Sequence, residues 1–241
     1  MNKLKSAIYL ILSMFAVSSF AQQTVDSNRY NSSVHKVLEY FGTKTKIQSG
    51  IYNGPEYVFY SRKADTNVFF QSQVYFNPAV VNYDGNVYAN VPVMYDLFKD
   101  QVITLFYDKF SAYTLLNPKL SDFTLLNHHF VYKDEKEANG LKSGIYDQLY
   151  NGATEVLVKR VKNVLIAEKQ KTTYPEKDII YIKNSNSYYE VGSQGRMFKI
   201  LKDKKLQLKK YVDDVNLDFG RDKEKAVSSI ASYYDSLLNQ K

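Results

Sequence analysis

Four aspartates in the middle of the chain are the first residues that could do chemistry: Asp84, Asp96, Asp100 and Asp108. Paired carboxylates are the machinery of most glycoside hydrolases, which makes Asp96 and Asp100 candidates for acid or base. Turn formation explains the same residues without catalysis, because aspartate side chains accept hydrogen bonds from nearby backbone amides. The sequence favours the structural role and keeps hydrolysis as the alternative.

Histidine, cysteine and serine patterns restrict the chemistry further. Of the histidines, His128 and His129 are adjacent, and neighbouring residues of a strand point to opposite faces, so the two are not expected to share a metal ion. The absence of cysteine excludes thiol catalysis and thiolate-bound zinc. No nucleophile-elbow or phosphate-loop pattern is present. We expect no metal and no cofactor, and the sequence favours a protein that is not an enzyme.

A lysine-rich stretch, KILKDKKLQLKK at 199–210, marks a candidate contact for an anionic ligand. In a helix, Lys202, Lys205 and Lys209 share one side. An ordinary solvated helix face is the simpler explanation of the same pattern. The whole chain has a formal charge of +7, a mild excess that does not indicate nucleic-acid binding.

The N-terminus has the pattern of a secretory signal peptide. Lys3 and Lys5 precede an apolar run, Ala7–Val17, and a small-x-small cleavage site. The run is shorter than the ~20 residues that a bilayer-spanning helix needs. We therefore expect residues 1–21 to be removed and the mature protein to be periplasmic, on the outer surface or secreted, without a transmembrane span.

The stretch NVYANVPVMYDLFKDQVI (86–103) is predicted to be a β-hairpin. Asp84 and Gly85 before it readily adopt the positive φ of a tight hairpin turn. Strict alternation after that turn predicts one buried face, formed by Val87, Ala89, Val91, Val93, Tyr95 and Leu97. It places three candidate surface or binding residues on the opposite face, namely Tyr88, Met94 and Asp96.

The remaining periodicity predicts an α+β fold with an antiparallel meander. Apolar spacing of three and four predicts an N-terminal helix over Arg29–Phe41 and C-terminal helices beyond Gly195, with alternating strands between them. The polar segment 133–144 interrupts the strands. We expect one α+β domain over residues 22–241, with a subdivision near 133–144 as the alternative.

Four segments resemble a group of uncharacterised exported proteins of Bacteroidetes: IYNGPEYV, NVYANVPVMYDLFKDQV, GIYDQLYNGATEVLVKRVK and KEKAVSSIASYYDSLL. The resemblance covers most of the expected mature chain. It implies residence in the envelope of a diderm bacterium. The group has no assigned activity, so the resemblance transfers no functional residue.

The leading functional hypothesis is a non-enzymatic binding or scaffolding module of the cell envelope. It rests on the export pattern and on strands rich in aromatic residues, with 22 tyrosines and 14 phenylalanines. The absence of tryptophan, which often stacks on sugars, weakens a glycan-binding role without excluding it. The alternatives are a glycan-directed hydrolase and a carrier for a lipid or an anionic glycan. The expected partners are an envelope protein or an anionic glycan or lipid.

Overall fold

The computed structural model describes residues 49–60, 64–106, 108–167 and 171–239. The predicted helix Arg29–Phe41 and the predicted signal peptide lie outside these residues. The strands are β1 (Asn77–Tyr83), β2 (Asn86–Asp96), β3 (Gln101–Leu105), β4 (Ala112–Thr114), β5 (Leu120–Leu125), β6 (His128–Lys133), β7 (Gly144–Tyr150), β8 (Val156–Lys162), β9 (Leu165–Ala167), β10 (Lys171–Thr173), β11 (Glu176–Asn184) and β12 (Ser187–Glu190). The α-helices are α1 (Gln194–Ile200), α2 (Lys205–Asp214) and α3 (Lys223–Leu238). Short 3-10 turns are Ser49–Ile51, Phe70–Ser72, Asn117–Lys119 and Lys202–Lys204.

Ten strands form one antiparallel sheet in the order β12-β11-β8-β7-β6-β5-β1-β2-β3-β4. Strands β1 to β4 make one meander, and β5 then returns to pair with the free side of β1 and starts a second meander. Strands β9 and β10 form a separate hairpin between β8 and β11. The predicted antiparallel sheet with C-terminal helices is thereby confirmed.

A β-bulge at Asn90 changes the pairing of the first hairpin. Ala79 pairs with Val91 but Val81 pairs with Tyr88, so β2 contains one extra residue between these pairs. Asn90 takes the left-handed conformation, with φ 56°. A bulge reverses the alternation of faces, and Tyr88 therefore joins the core while Val87 is 50% exposed. The predicted buried face is correct for Val91, Val93, Tyr95 and Leu97 after the bulge, and the prediction is wrong for Val87 and Tyr88 before it.

The edge formed by β4 is covered by the chain that precedes β1. The amide of Tyr57 donates to the carbonyl of Ala112 at 2.7 Å, and the amide of Thr114 donates to the carbonyl of Pro55 at 3.0 Å. An open edge strand invites pairing with another molecule. The extended segment around residues 55–57 therefore protects this end of the sheet.

The β6–β7 connection protects the other end of the sheet. This is the 133–144 segment, and the Tyr188 amide in edge strand β12 donates to its Asn139 carbonyl at 2.8 Å. Ala138 and Leu141, each 6% exposed, pack against Tyr188 and Leu157. Since β6 and β7 also pair directly, the connection joins neighbouring strands and covers one face of the sheet.

The C-terminal helices cover the opposite face of the second meander. Their buried residues meet the side chains of β8 and β11 in one core: Val156, Val158, Ile180, Ile182, Met197, Leu201, Leu208, Val212, Val227, Ile230 and Ala231. Polar contacts fix α3 near both ends. The Arg160 guanidinium donates to Glu224 at 2.9 Å, and Asp235 accepts from the Thr154 amide at 3.0 Å. In the described part of the chain, no helix is long and apolar enough to cross a membrane.

Replacing Gly140 by alanine should destabilise the fold by about 1–3 kcal/mol. Gly140 has φ +94°, and an added Cβ would lie 2.3 Å from the Tyr188 carbonyl oxygen. Gly195→Ala is the matched control, because nothing lies within 4 Å of its Cβ position and alanine favours a helix by about 0.5–1 kcal/mol. Urea unfolding measures both, and equal free energies for the two variants would contradict the close approach.

The stability of the protein should fall in strongly alkaline solution. Burial raises the pKa of Tyr146 to about 12, and burial with a hydrogen bond to Asp203 raises the pKa of Tyr234 to about 12. Because both values exceed the ordinary 10.0, the protonated phenols stabilise the fold fully below pH 10, and this contribution is lost as the pH rises towards about 12. Urea midpoints measured across that window check it; an unchanged midpoint would show that both phenols ionise freely in the folded protein.

Candidate functional site

Asp96, at the end of β2, is the anchor of an aromatic site. It is 0% exposed, and one carboxylate oxygen accepts from the hydroxyls of Tyr57 at 2.8 Å and Tyr60 at 2.9 Å. The other oxygen accepts from the amides of Phe98 at 2.8 Å and Lys99 at 3.0 Å. The predicted turn role of Asp96 is confirmed by these amide bonds. Four protein donors occupy this carboxylate, which therefore fixes two tyrosines in place.

Lys99 lies over the two tyrosines that Asp96 holds. Its ammonium is 4.8 Å from the ring centre of Tyr57 and 4.6 Å from that of Tyr60, which are cation–π distances. Burial, together with the hydrogen bond to Asp96, raises the pKa of both phenols well above the ordinary 10.0. The two phenols stay neutral hydrogen-bond donors, and Lys99 beside them is an exposed cation.

Three rings next to Lys99 form a triangular cluster. Their centres are 6.1 Å apart between Tyr60 and Phe98, 5.9 Å between Tyr60 and Tyr174, and 5.6 Å between Phe98 and Tyr174. All three pairs have the edge-to-face arrangement that aromatic quadrupoles favour. Phe98 remains 41% exposed, so the cluster presents ring surface to solvent.

A cleft of about 320 Å³ opens beside this cluster, and we call it the aromatic cleft. Its ring-bearing residues are Phe59, Tyr60, Phe69 and Tyr174, and its other lining residues are Ala64, Asp65, Thr66, Asn67 and Val68. The volume lies at the lower end of the ~300–1,000 Å³ typical of small-molecule sites. The cleft combines aromatic walls with one polar side, as such sites commonly do.

The polar side of the aromatic cleft is held from beneath by Lys162 of β8. Its ammonium donates to the carbonyls of Asn67 at 3.1 Å and Phe69 at 2.8 Å, and burial lowers the pKa of Lys162. The Tyr174 amide donates to the Thr66 hydroxyl at 2.7 Å. These contacts join the cleft to the sheet, so its walls are fixed before any ligand arrives.

Asp100, the other candidate acid or base, forms hydrogen bonds with a different set of residues. Its carboxylate accepts from the Tyr95 hydroxyl at 2.6 Å, the Lys159 ammonium at 2.6 Å and the Ile145 amide at 3.2 Å. It ties the β2–β3 turn to β7 and β8. Neither Asp96 nor Asp100 lines the aromatic cleft. The structure therefore does not place the two candidate carboxylates on the aromatic cleft, and Asp96 is buried, whereas hydrolysis of a glycosidic bond requires two carboxylates facing the substrate.

The remaining candidate residues lie in three different places. Tyr88 is 5% exposed and belongs to the core that includes buried residues of β1 and β2. Met94 is 3% exposed and packs in a second cluster with Phe69, which lines the aromatic cleft. Met94 and the buried Asp96 show that the face opposite this core is covered at these positions and is not a surface, whereas the bulge places Tyr88 in the core itself. Lys202, Lys205 and Lys209 are exposed, on the helical segment after α1.

The two adjacent histidines have different carboxylate neighbours. His128 Nδ1 lies 2.7 Å from Asp147, and His129 Nε2 lies 3.4 Å from Asp122. The hydrogen bond to Asp122 raises the pKa of His129. Among the residues that the structure describes, no three histidine or acidic side chains are grouped so that they could hold a metal ion.

A buried ionic cluster on β8 was not anticipated from the sequence. Arg160 is 6% exposed and donates to Asp147 and Asp178, each at 2.6 Å, and also to Glu224. The available signal is the alternation of VLVKRVK, which places Arg160 and Lys162 on the same face as the buried valines. The cluster links β7, β8, β11 and α3, and it serves the fold.

Most residues of the aromatic cleft were also missed, because they come together from distant parts of the chain. Tyr60 and Tyr174, which line the cleft, and Lys99 beside it come from three separate segments and meet through contacts between side chains around Asp96. The closest sequence signal is the YVFY run at 57–60, which is not part of a regular strand. Alternation therefore could not show that both of its tyrosines bind the same carboxylate.

Comparisons with known proteins add no assignment to this geometry. No family model matches the chain, and neither the search of characterised proteins nor the search of solved structures found a match. A function for the aromatic cleft must be argued from its residues.

Asp96→Asn should destabilise the protein by about 1–3 kcal/mol. The new amide group would bring hydrogen-bond donors to a position where Tyr57, Tyr60 and two backbone amides already donate. The control is Asp108→Asn, where an exposed turn needs only an acceptor for the amides of Phe110 and Ser111. Urea unfolding should show a change within about 0.5 kcal/mol for the control. A similar change for both would mean that Asp96 is not the anchor described.

Proposed function

We propose that this protein is a non-enzymatic binding module of the cell envelope and that the aromatic cleft binds an anionic glycan. The observation that carries the proposal is the arrangement of aromatic rings beside a cation, in which one buried carboxylate holds Tyr60 and the loop that carries Phe98 and Lys99. Asp96 positions Tyr60 and the backbone of Phe98 and Lys99 at the same time. A site built in this way presents ring surface inside the cleft, where the charged residue among the described lining residues is Asp65, and positive charge from Lys99 over the Tyr60 ring beside it.

The rings suit the apolar faces of a sugar. Phe59 and Phe98 are 48% and 41% exposed, and aromatic rings gain free energy when they cover apolar surface. The cleft volume of about 320 Å³ fits one or two sugar rings better than the chains of a lipid. This size favours a glycan over the lipid that the sequence also left open.

Lys99 supplies the preference for a negatively charged ligand. Its ammonium lies over the ring of Tyr60, which lines the cleft, and its side chain is exposed. An acidic group on a sugar held against these rings would come close to that ammonium. The formal charge of +7 for the whole chain also favours the approach of anionic ligands.

Binding without turnover is favoured by what the candidate catalytic carboxylates already do. Asp96 accepts four hydrogen bonds from the protein, and Asp100 accepts three. A general acid or base must reach the substrate directly or through one water. Carboxylates with this many hydrogen bonds to the protein stabilise the fold, and this role is favoured over general acid or base catalysis. Export, proposed from the signal-peptide pattern, would bring the module to envelope glycans.

The proposal is tested by calorimetric titration with paired oligosaccharides, one neutral and one rich in uronic acid. The wild type should bind the acidic member more tightly. Phe98→Ala should weaken binding by about tenfold or more, as expected for removing one exposed aromatic contact of 1.5 kcal/mol or so. Lys99→Gln should remove the preference for the acidic sugar while leaving the weaker neutral binding.

The matched control is Tyr189→Ala, which removes an aromatic ring that is 40% exposed on β12, outside the cleft. It should bind as the wild type does. Equal losses for Phe98→Ala and Tyr189→Ala, or no binding by the wild type, would reject the cleft as a glycan site. Release of new reducing ends during the titration would show that the protein hydrolyses the glycan, and it would contradict a role in binding alone.

A further inference from the structure

We propose that a lysine surface on the C-terminal helical segment is a docking site for an anionic lipid surface. We define the lysine surface as Lys199, Lys202, Lys205 and Lys209. Lys199 lies in the last turn of α1, Lys202 in the following 3-10 turn, and the other two in α2. This inference goes beyond the proposed glycan binding and does not depend on it.

The positive charge of the protein is concentrated in this segment. Residues 199–210 contain six lysines and one aspartate, a formal charge of +5 out of +7 for the whole chain. The single aspartate, Asp203, accepts a hydrogen bond from the Tyr234 hydroxyl at 3.0 Å. Lys210 is paired with Asp214 at 2.7 Å. In the described part of the chain, the four lysines of the lysine surface have no such carboxylate partner.

The backbone of the segment is anchored in the core, which fixes the positions from which its lysines extend into solvent. Leu201 and Leu208 are each 0% exposed and anchor it in the core between the sheet and the helices. The Asn184 side chain also donates to the Ile200 carbonyl at 2.8 Å. Lys205 and Lys209 are four residues apart in α2 and therefore project from the same side of the helix.

An exposed leucine favours a lipid surface over other anionic ligands as the partner of the lysine surface. Leu206 is 81% exposed next to Lys205, which combines an apolar side chain with surrounding cations as in helices that lie on membranes. All basic residues of the segment are lysines, which act as point charges, whereas bidentate recognition of a single phosphate uses arginine. A diffuse anionic surface that also accepts an apolar side chain fits both features.

The test is co-sedimentation of the expected mature chain, residues 22–241, with vesicles of phosphatidylcholine, with and without phosphatidylglycerol. Binding should require the anionic lipid and should weaken as salt is raised, because exposed charges are screened. A lysine near a membrane contributes about 1 kcal/mol. The triple change Lys202→Gln, Lys205→Gln and Lys209→Gln should therefore lower the partition coefficient on the order of a hundredfold.

The matched control removes the same charge from three exposed lysines elsewhere, Lys136, Lys142 and Lys177. It should retain most of the binding. Leu206→Ser should lower binding by several-fold without any change of charge, and circular dichroism verifies the fold of each variant. Equal binding by the two triple variants, or no binding to anionic vesicles, would overturn the proposal. Phe98→Ala, which changes the ring cluster beside the aromatic cleft, should bind vesicles as the wild type does, which separates the two sites.

Discussion

The burial of basic side chains on strand β8 is the constraint on which the rest of the structure depends. A charge taken out of water must find partners, because an unpaired buried ion costs several kcal/mol or more. Lys159, Arg160 and Lys162 find theirs in three different parts of the molecule. Lys159 binds Asp100 in the β2–β3 turn, Arg160 binds Glu224 of α3, and Lys162 binds the carbonyls of the cleft wall.

These contacts join parts of the ten-stranded sheet that are distant from each other in the strand order. The β2–β3 turn and β8 are far apart in the strand order, yet Lys159 and Asp100 meet at 2.6 Å. The sheet must curve for that contact to form, as twisted sheets of many strands do. The hydrogen bonds of Lys162 to the carbonyls of Asn67 and Phe69 hold the wall of the aromatic cleft against β8. The ionic contacts specify geometry as well as contributing to stability.

The two proposed binding regions follow from different physical solutions. The aromatic cleft depends on a buried anion, Asp96, whose carboxylate accepts hydrogen bonds from two tyrosine hydroxyls and from two backbone amides of the following loop. The lysine surface depends on buried apolar residues, Leu201 and Leu208, that hold unpaired cations at the surface. One region offers a concave site with ring surface, and the other offers a convex charged face. They suit ligands of different size, and neither requires the other.

The sequence by itself determined the α+β class, the antiparallel strands, the Asp84–Gly85 turn and the C-terminal helices, because these depend on local periodicity and turn chemistry. It also favoured a turn role for Asp96 over catalysis, and the hydrogen bonds from nearby backbone amides that fulfil this role span only three residues. Only the tertiary structure decided that Tyr57 and Tyr60 share the same carboxylate, across a separation of more than thirty residues. The bulge at Asn90 and the partners of Arg160 were decided in the same way. Pairing across strands and charge burial depend on which distant segments meet, and local patterns carry no information about that.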